Sequence, residues 1–296
     1  MVELRHPESI PRCTVEDAYA LCEKVARNHY ENFTVGSLFL PRGMKRHLYA
    51  VYAYCRLVDD LGDEYSGDRN EALSDIQDQL DECYDGSPTE PVMLALQDTV
   101  KKFDIPKSPF LGLIKANKID QIKTRYQTYI ELEDYCNYSA NPVGHMVLHL
   151  FGYHDDAYQR LSDFTCTALQ LANFWQDVAR DYSMGRVYLP VEDMLRFGVD
   201  QNDIAVRRFS ANFRNLMEFE VQRTRTLFSR GLALIDMVDG RLRLDLALYS
   251  LGGLKILDLI QAAGYDVLTM RPTLSKWAKF CLVTSTVMKL SILRRI

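Results

Sequence analysis

Apolar residues recur along most of this chain three and four positions apart, the spacing that aligns side chains on one face of an α-helix. In the stretch ending "YAYCRLVDDLGDEY", Tyr49, Val51, Tyr52, Tyr54 and Val58 build such an apolar stripe. Alternating runs bounded by turn signals, which would mark half-buried strands, are almost absent. The pattern predicts an all-α protein with helices over roughly 15–30, 43–64, 69–84, 90–102, 107–119, 122–151, 155–183, 208–238, 242–264 and 273–293. Breakers divide them: "LPRG" at 40–43, "DGSPTEP" at 85–91, "DIPKSP" at 104–109, "SMGRVYLP" at 183–190, "RFGVD" at 196–200 and "MRP" at 270–272. None is long or of low complexity, so residues 1–296 are expected to form one domain.

Two of these helices end in acid. The first runs into Asp59, Asp60, Asp63 and Glu64, and the second, "LSDFTCTALQLANFWQDVARD" at 161–181, into Asp177 and Asp181. Residues four apart share a helix face, so Asp59 projects beside Asp63 and Asp177 beside Asp181. Carboxylates this close to apolar segments repel one another and raise one another's pKa. Mg2+ relieves that repulsion, because it takes oxygen ligands and is usually held by one or two carboxylates together with substrate phosphates. Two such helix ends facing across a cavity would make a diphosphate site. One acidic helix end alone reads as a solvated turn; the pair is what carries the metal reading. Gln170 and Asn173 stand near the same face as Asp177, where their amides either orient water and phosphate oxygen or cap and join helices.

Composition narrows the remaining classes. A hydrophobic fraction of 47% and a charged fraction of 25% belong to an ordinary folded protein. A formal net charge of -5 argues against general nucleic-acid binding, which depends on neutralising phosphates with Lys and Arg. Seven scattered cysteines without a C-x-x-C pair fit neither a disulfide framework nor a zinc site and imply a reducing compartment. The N-terminus lacks the apolar core of a signal peptide and no run is long enough to span a membrane, so the expected location is cytoplasmic. Residues 275–296 differ from the rest: Lys276, Lys279, Lys289, Arg294 and Arg295 stand there without a single acid, a charge of +5 that leaves -10 for the remainder. This basic helix at about 273–293, with Trp277, either lies on the inner, anionic face of a membrane as a peripheral contact or docks on its own domain.

The segments "YAVYAYCRLVDDLGDE" and "ALQLANFWQDVARDYSMGRVYLP" resemble the two aspartate-rich motifs of the squalene and phytoene synthases, which join two prenyl chains head to head. The likeness takes in "YCNYSANPVGHMVLHLFG" at 135–152 and "YSLGGLKILDLIQAAGYDVLTMRP" at 249–272. "SANPVG" together with "NFWQD" is most similar to a bacterial hopanoid-pathway branch, hydroxysqualene synthase. The resemblance implies a single isoprenoid synthase-like helical bundle around a central cavity, with Mg2+ between the motifs and a prenyl diphosphate lipid as substrate. On matching positions Asp59, Asp60, Asp63, Asp177 and Asp181 would hold the metal–diphosphate cluster, with Asp59, Asp63, Asp177 and Asp181 as metal ligands. Arg56 and Arg186 would contact diphosphate, while Tyr52, Tyr135, Gln170 and Asn173 would line the cavity. Arg271 receives no firm role.

Two departures bear on the substrate. Near the N-terminus, "HYENF" at 29–33 puts Glu31 where the family usually has a basic contact, and Gln176 replaces the arginine common before the first aspartate of the second motif. Fewer positive groups imply one diphosphate instead of two, hence presqualene diphosphate as substrate. Its ionisation would leave a cyclopropylcarbinyl cation that must be shielded until water captures it. Aromatic faces attract cations by roughly 0.5–2 kcal/mol, and Phe33, Tyr52, Tyr135, Phe174 and Tyr188 stand close to the acidic motifs. No G-x-G-x-x-G follows a strand, so reduction by NADPH is not expected. "LGGLKIL" reads instead as a glycine pair for close helix packing. His145 and His149 share a helix face but lack the glutamate and third ligand of a zinc site, and read as core or surface histidines. Two rivals stand beside this: condensation of two allylic diphosphates to presqualene diphosphate, squalene or phytoene, and a non-catalytic helical module that binds membranes or partners.

Overall fold

A computed structural model describes residues 13–28 and 42–293. Phe33, with the rest of "HYENF", lies outside the described residues, as do Arg294 and Arg295. Among the described residues there are fourteen helices and no strand, as the apolar spacing predicts.

They are α1 (Val15–Asn28), α2 (Arg42–Asp63), α3 (Arg69–Asp85), α4 (Pro91–Phe103), α5 (Ser108–Asp120), α6 (Tyr129–Ser139), α7 (Asn141–Leu150) and α8 (Asp156–Ser183). The second half holds α9 (Val191–Phe197), α10 (Gln201–Ala205), α11 (Ala211–Gly231), α12 (Ala233–Met237), α13 (Gly240–Ala262) and α14 (Lys276–Leu293).

Local chemistry sets the boundaries. Asp68 caps α3 by accepting from the amides of Asn70 and Glu71, and Asp155 caps α8 by accepting from that of Ala157, each supplying an oxygen to donors the first turn cannot satisfy. Helix α4 starts on Pro91 and stops at Asp104, which takes a left-handed conformation at φ 50°. Beyond α8, Gly185 adopts φ 83° and reverses the chain, a conformation that costs a Cβ-bearing residue.

One expected helix is not continuous. Residues 122–151 divide into a turn and extended stretch, then α6, a break at Ala140 and then α7. Asn141 precedes Pro142, and proline fits a first helical turn but not an interior. The stretch before α6 is claimed by a tertiary partner. Val187 donates to Thr124 O at 3.0 Å and Val191 to Tyr126 O at 2.9 Å, with a parallel bridge between Arg125 and Val187.

The core falls into two large clusters. One gathers α1 to α5 with α7 and is lined by Tyr54, Leu73, Leu80, Met93, Leu96, Phe110 and Met146. The other surrounds the buried half of α8, where Trp175 donates its Nε1–H to Thr224 on α11 at 2.8 Å. Helix α8 packs against α7, α11 and α13, and α2 packs against α1, α3, α4 and α5. The predicted glycine packing holds: a Cβ on Gly253 would meet the Phe228 ring at 2.3 Å and Leu169 at 2.8 Å. Each acid-ending helix is therefore the centre of its own cluster, and its polar end emerges from a well-packed stem.

Candidate active site

The C-terminal end of α2 carries Asp59, Asp60 and Asp63. Asp59 keeps surface open toward a cavity while protein surrounds it on its other sides, and that burial pushes its carboxyl up to about 6. Asn117 on α5 donates to Asp59 Oδ1 at 3.3 Å and works against the rise. Asp60 pairs with Arg56, which also donates to Glu64 at 2.8 Å. Gly62 permits the approach of α5, since a Cβ there would fall 2.0 Å from Asn117 Oδ1.

The C-terminal end of α8 is deeper. Asp177 and Asp181 are both buried, and burial together with the Asp177 charge pushes Asp181 up to about 7. Asp177 accepts two hydrogen bonds from Arg271, one of them from Nη2 at 2.9 Å. Gln176 is buried beside it, donating to the carbonyl of Pro272 and accepting from Arg271 at 3.4 Å. Arg271, given no role from its sequence position, thus closes the second motif from the segment between α13 and α14.

Arg186 joins the two helix ends. It follows Gly185 in the loop after α8, its amide donates to Asp181 O at 2.8 Å, and its guanidinium donates to Asp63 Oδ1 at 2.7 Å. Burial opposes its charge, but the bond to Asp63 and the neighbouring Tyr188 and Asp120 outweigh that, so it stays firmly protonated. One residue thus links the two motifs, its backbone to the end of α8 and its side chain to Asp63 on α2.

Asp120, at the end of α5, is a further member that sequence reasoning missed. Burial pushes it up to about 6, Tyr135 donates to its Oδ2 at 2.6 Å, and its Oδ1 is buried without a hydrogen-bond partner among the described residues. Neither Asp120 nor Asn117 belongs to an acidic run; their spacing of three on a helix was the only sequence signal.

The cavity beside the first motif has a volume of about 200 Å3 and is lined by Leu48, Val51, Tyr52, Cys55, Arg56, Asp59, Val143 and Val147. Tyr52, expected to line a cavity, shares this wall with Arg56 and Asp59. Tyr135, Phe174 and Tyr188 do not line this cavity. They pack in the neighbouring core with Tyr126, the rings of Phe174 and Tyr188 stacked at 3.7 Å and those of Tyr135 and Tyr188 6.0 Å apart. Gln170 is half-buried and Asn173 exposed on the face of α8 that leads to Asp177. His145 pairs with Asp163 at 2.7 Å and His149 with His154 at 2.8 Å, so the histidines serve other contacts.

Among the described residues no three His, Cys, Asp or Glu side chains converge to hold a metal unaided. The donors nevertheless suit Mg2+. They are hard oxygens, they occur in pairs, and two buried carboxylate oxygens, on Asp60 and Asp120, lack a hydrogen bond, the first of them facing Arg56 as an ion pair. Mg2+ sites of this kind are usually completed by phosphate oxygens of the ligand.

An all-helical bundle with two aspartate-bearing helix ends linked through Arg186, similar in fold to solved prenyl synthases, belongs to the class of isoprenoid synthase-like folds. The family model for squalene/phytoene synthase matches residues 26–278, and the chain belongs to that family, whose members act on prenyl diphosphates. Its relatives include the 15-cis-phytoene synthase of Synechocystis sp., 32% identical over 282 residues that cover 90% of this chain and 83% of the relative. Among solved structures it is similar to squalene synthase HpnC from Alicyclobacillus acidocaldarius, with 47% identity and a TM-score of 0.83 over 85% of this chain and 96% of that one. A dehydrosqualene synthase determined with a ligand is 26% identical, with a TM-score of 0.86 over 94% of this chain and 98% of its own.

Proposed function

We propose that this chain converts presqualene diphosphate and water to hydroxysqualene and diphosphate with Mg2+, as a step of squalene and hopanoid biosynthesis. The observation that carries the reading is Gln176. A neutral amide, buried and engaged with the carbonyl of Pro272 and with Arg271, supports it, because the resemblance puts an arginine at this position.

Asp59, Asp63, Asp177 and Asp181 would hold Mg2+, which when bound supplies Lewis-acid stabilisation to the departing diphosphate. Arg56 and Arg186 add fixed positive charge at the same place, so the carbon–oxygen bond breaks with its electron pair leaving on diphosphate. Asp60 holds Arg56 in position, as Asp63 does Arg186. Tyr52 and the apolar wall of Leu48, Val51, Val143 and Val147 keep water from the cation while the skeleton rearranges. The stack of Tyr135, Phe174 and Tyr188 keeps the neighbouring interior dry and polarisable. Gln170 and Asn173 carry amides suited to presenting one water, whose oxygen forms the new carbon–oxygen bond and whose proton passes to the released diphosphate. No hydride enters this sequence, so NADPH is not required.

Incubation of the full chain with presqualene diphosphate and Mg2+, with and without NADPH, tests the reading by mass spectrometry of the products. A hydroxylated product indifferent to NADPH is expected; a reduced product formed only with NADPH overturns it. The names of the relatives favour a second reading, head-to-head condensation of two prenyl diphosphates. Consumption of farnesyl diphosphate without turnover of presqualene diphosphate would establish that reading instead.

A further inference from the structure

Helix α14 is amphipathic in an unusual sense. Its inner side rests on α13, with Thr286 buried and Leu282 lying 4.0 Å from the position a Cβ on Gly252 would take. Its outer side shows Trp277 at 72% exposure, Phe280 at 57% and Met288 at 59%, spaced so that all three fall on one stripe. The rings of Trp277 and Phe280 stack with centroids 5.5 Å apart, and Met270 is exposed in the segment leading to the helix. Large apolar side chains scattered singly on a surface need no explanation, but a stacked, exposed aromatic pair with an exposed methionine on the same helix face does.

Charge selects the occupant. Residues 275–296 hold five basic residues and no acid, whereas the rest of the chain sums to -10. An anionic surface repels most of this molecule and attracts this segment. Aromatic and apolar side chains flanked by lysine suit the boundary between headgroups and acyl chains, where the rings bury their faces and the amines reach phosphate. Among the described residues no helix is long and apolar enough to cross a membrane, so α14 would lie in the plane of the interface.

We propose that α14 docks this protein on an anionic lipid bilayer, with Trp277, Phe280 and Met288 inserted among the acyl chains and Lys276 at the headgroups. In the chain the helix follows closely on the candidate active site, since Arg271, which closes the second motif on Asp177, sits in the short segment immediately before it. A prenyl lipid dissolved in the bilayer would then meet the protein beside that site. The docking stands independently of which prenyl diphosphate is turned over.

The chain contains two tryptophans, and Trp175 is fully buried, so a fluorescence change on adding vesicles reports Trp277. Vesicles of phosphatidylglycerol and phosphatidylcholine in equal parts should shift its emission to the blue and carry the full-length protein into the pellet. Vesicles of phosphatidylcholine alone should do so far less, and added salt should reverse the anionic binding. Trp277→Ser combined with Phe280→Ser should weaken co-sedimentation about tenfold or more, and Lys276→Glu by a smaller factor, with thermal melting as in the parent. An unshifted emission with anionic vesicles overturns the proposal, as does pelleting that the double substitution leaves unchanged. Burial of Trp277 in a concentration-dependent dimer that vesicles do not compete away overturns it too, since the stripe would then belong to a second copy of the chain.

Discussion

Two groups of buried acids in this molecule look alike by charge and differ in what completes them. On the α9–α11 side, Glu220 is fully buried and burial pushes its carboxyl up to about 8. Arg223 answers it from the same helix, donating to Glu220 at 3.1 Å and to Asp193 at 2.8 Å, with its guanidinium 4.1 Å from the Tyr129 ring centre. Every charge there has an internal partner and nothing invites a ligand. Around α2 and α8, burial likewise pushes Asp59, Asp120 and Asp181 up, yet Asp120 keeps an orphaned oxygen and no internal cation meets Asp181 by hydrogen bond or ion pair among the described residues. Raised carboxyl pKa values therefore do not by themselves separate a functional cluster from a structural one. Incomplete neutralisation marks the candidate, and at Asp59 its acids open on a cavity.

The sharpest way to break this contrast is to remove charge from each group. Asp177→Asn should cut Mg2+-dependent diphosphate release by about a hundredfold or more while the protein stays folded, checked by a phosphate-release assay alongside circular dichroism. If release persists at the parental rate, the distinction fails. Arg223→Ala should do the reverse. It strands two buried carboxylates and should cost about 3–5 kcal/mol of stability, read from denaturant midpoints, with turnover per folded molecule preserved.

Tyr135→Phe sits between these extremes, since it deletes the one hydroxyl that serves Asp120. A loss of about 1–2 kcal/mol in denaturation is expected, together with a weaker response to Mg2+ if Asp120 belongs to the functional group.

The smallest effect is one of pH. Glu220 has a folded-state pKa of about 8 against 4.5 for the free side chain, so the native state holds a proton that the unfolded chain has already released. Its contribution is full below 4.5 and is lost as pH rises toward about 8. Arg223 faces it and moderates the loss, whereas the neighbouring Asp193 and Glu192 deepen it. Glu220→Gln cannot ionise, so its melting temperature should gain on the parent across that window, and a constant gap would refute the assignment.

How legible the two regions were follows from the range of their contacts. The stems of α2 and α8 and their acidic ends could be read from the chain because helix spacing and paired aspartates are local signals. Helix α2 ends at Asp63 and α8 runs from Asp156 to Ser183, within a residue or so of the expected bounds. Asp120, Asn117 and Arg271 could not be read, since each gains its meaning from a partner nearly sixty or more residues away or from a fold-level neighbour. The same holds for the stretch before α6, whose apolar spacing mimics a helix while its backbone groups pair with the loop after Gly185. Pro142 gave notice of the break that follows, and periodicity outweighed it.

That pairing between Thr124–Tyr126 and Val187–Val191 acts as a ruler for the loop. Arg125 reinforces it by donating to Gly185 O at 2.7 Å, fixing how far the chain may advance before its bridge to Val187. A one-residue slip in one direction would offer the isopropyl of Val187 to the aspartates, and in the other would drive a guanidinium into the buried place of Val187. Insertions or deletions anywhere between Gly185 and Pro190 should thus be selected against, even those that leave every site side chain in place.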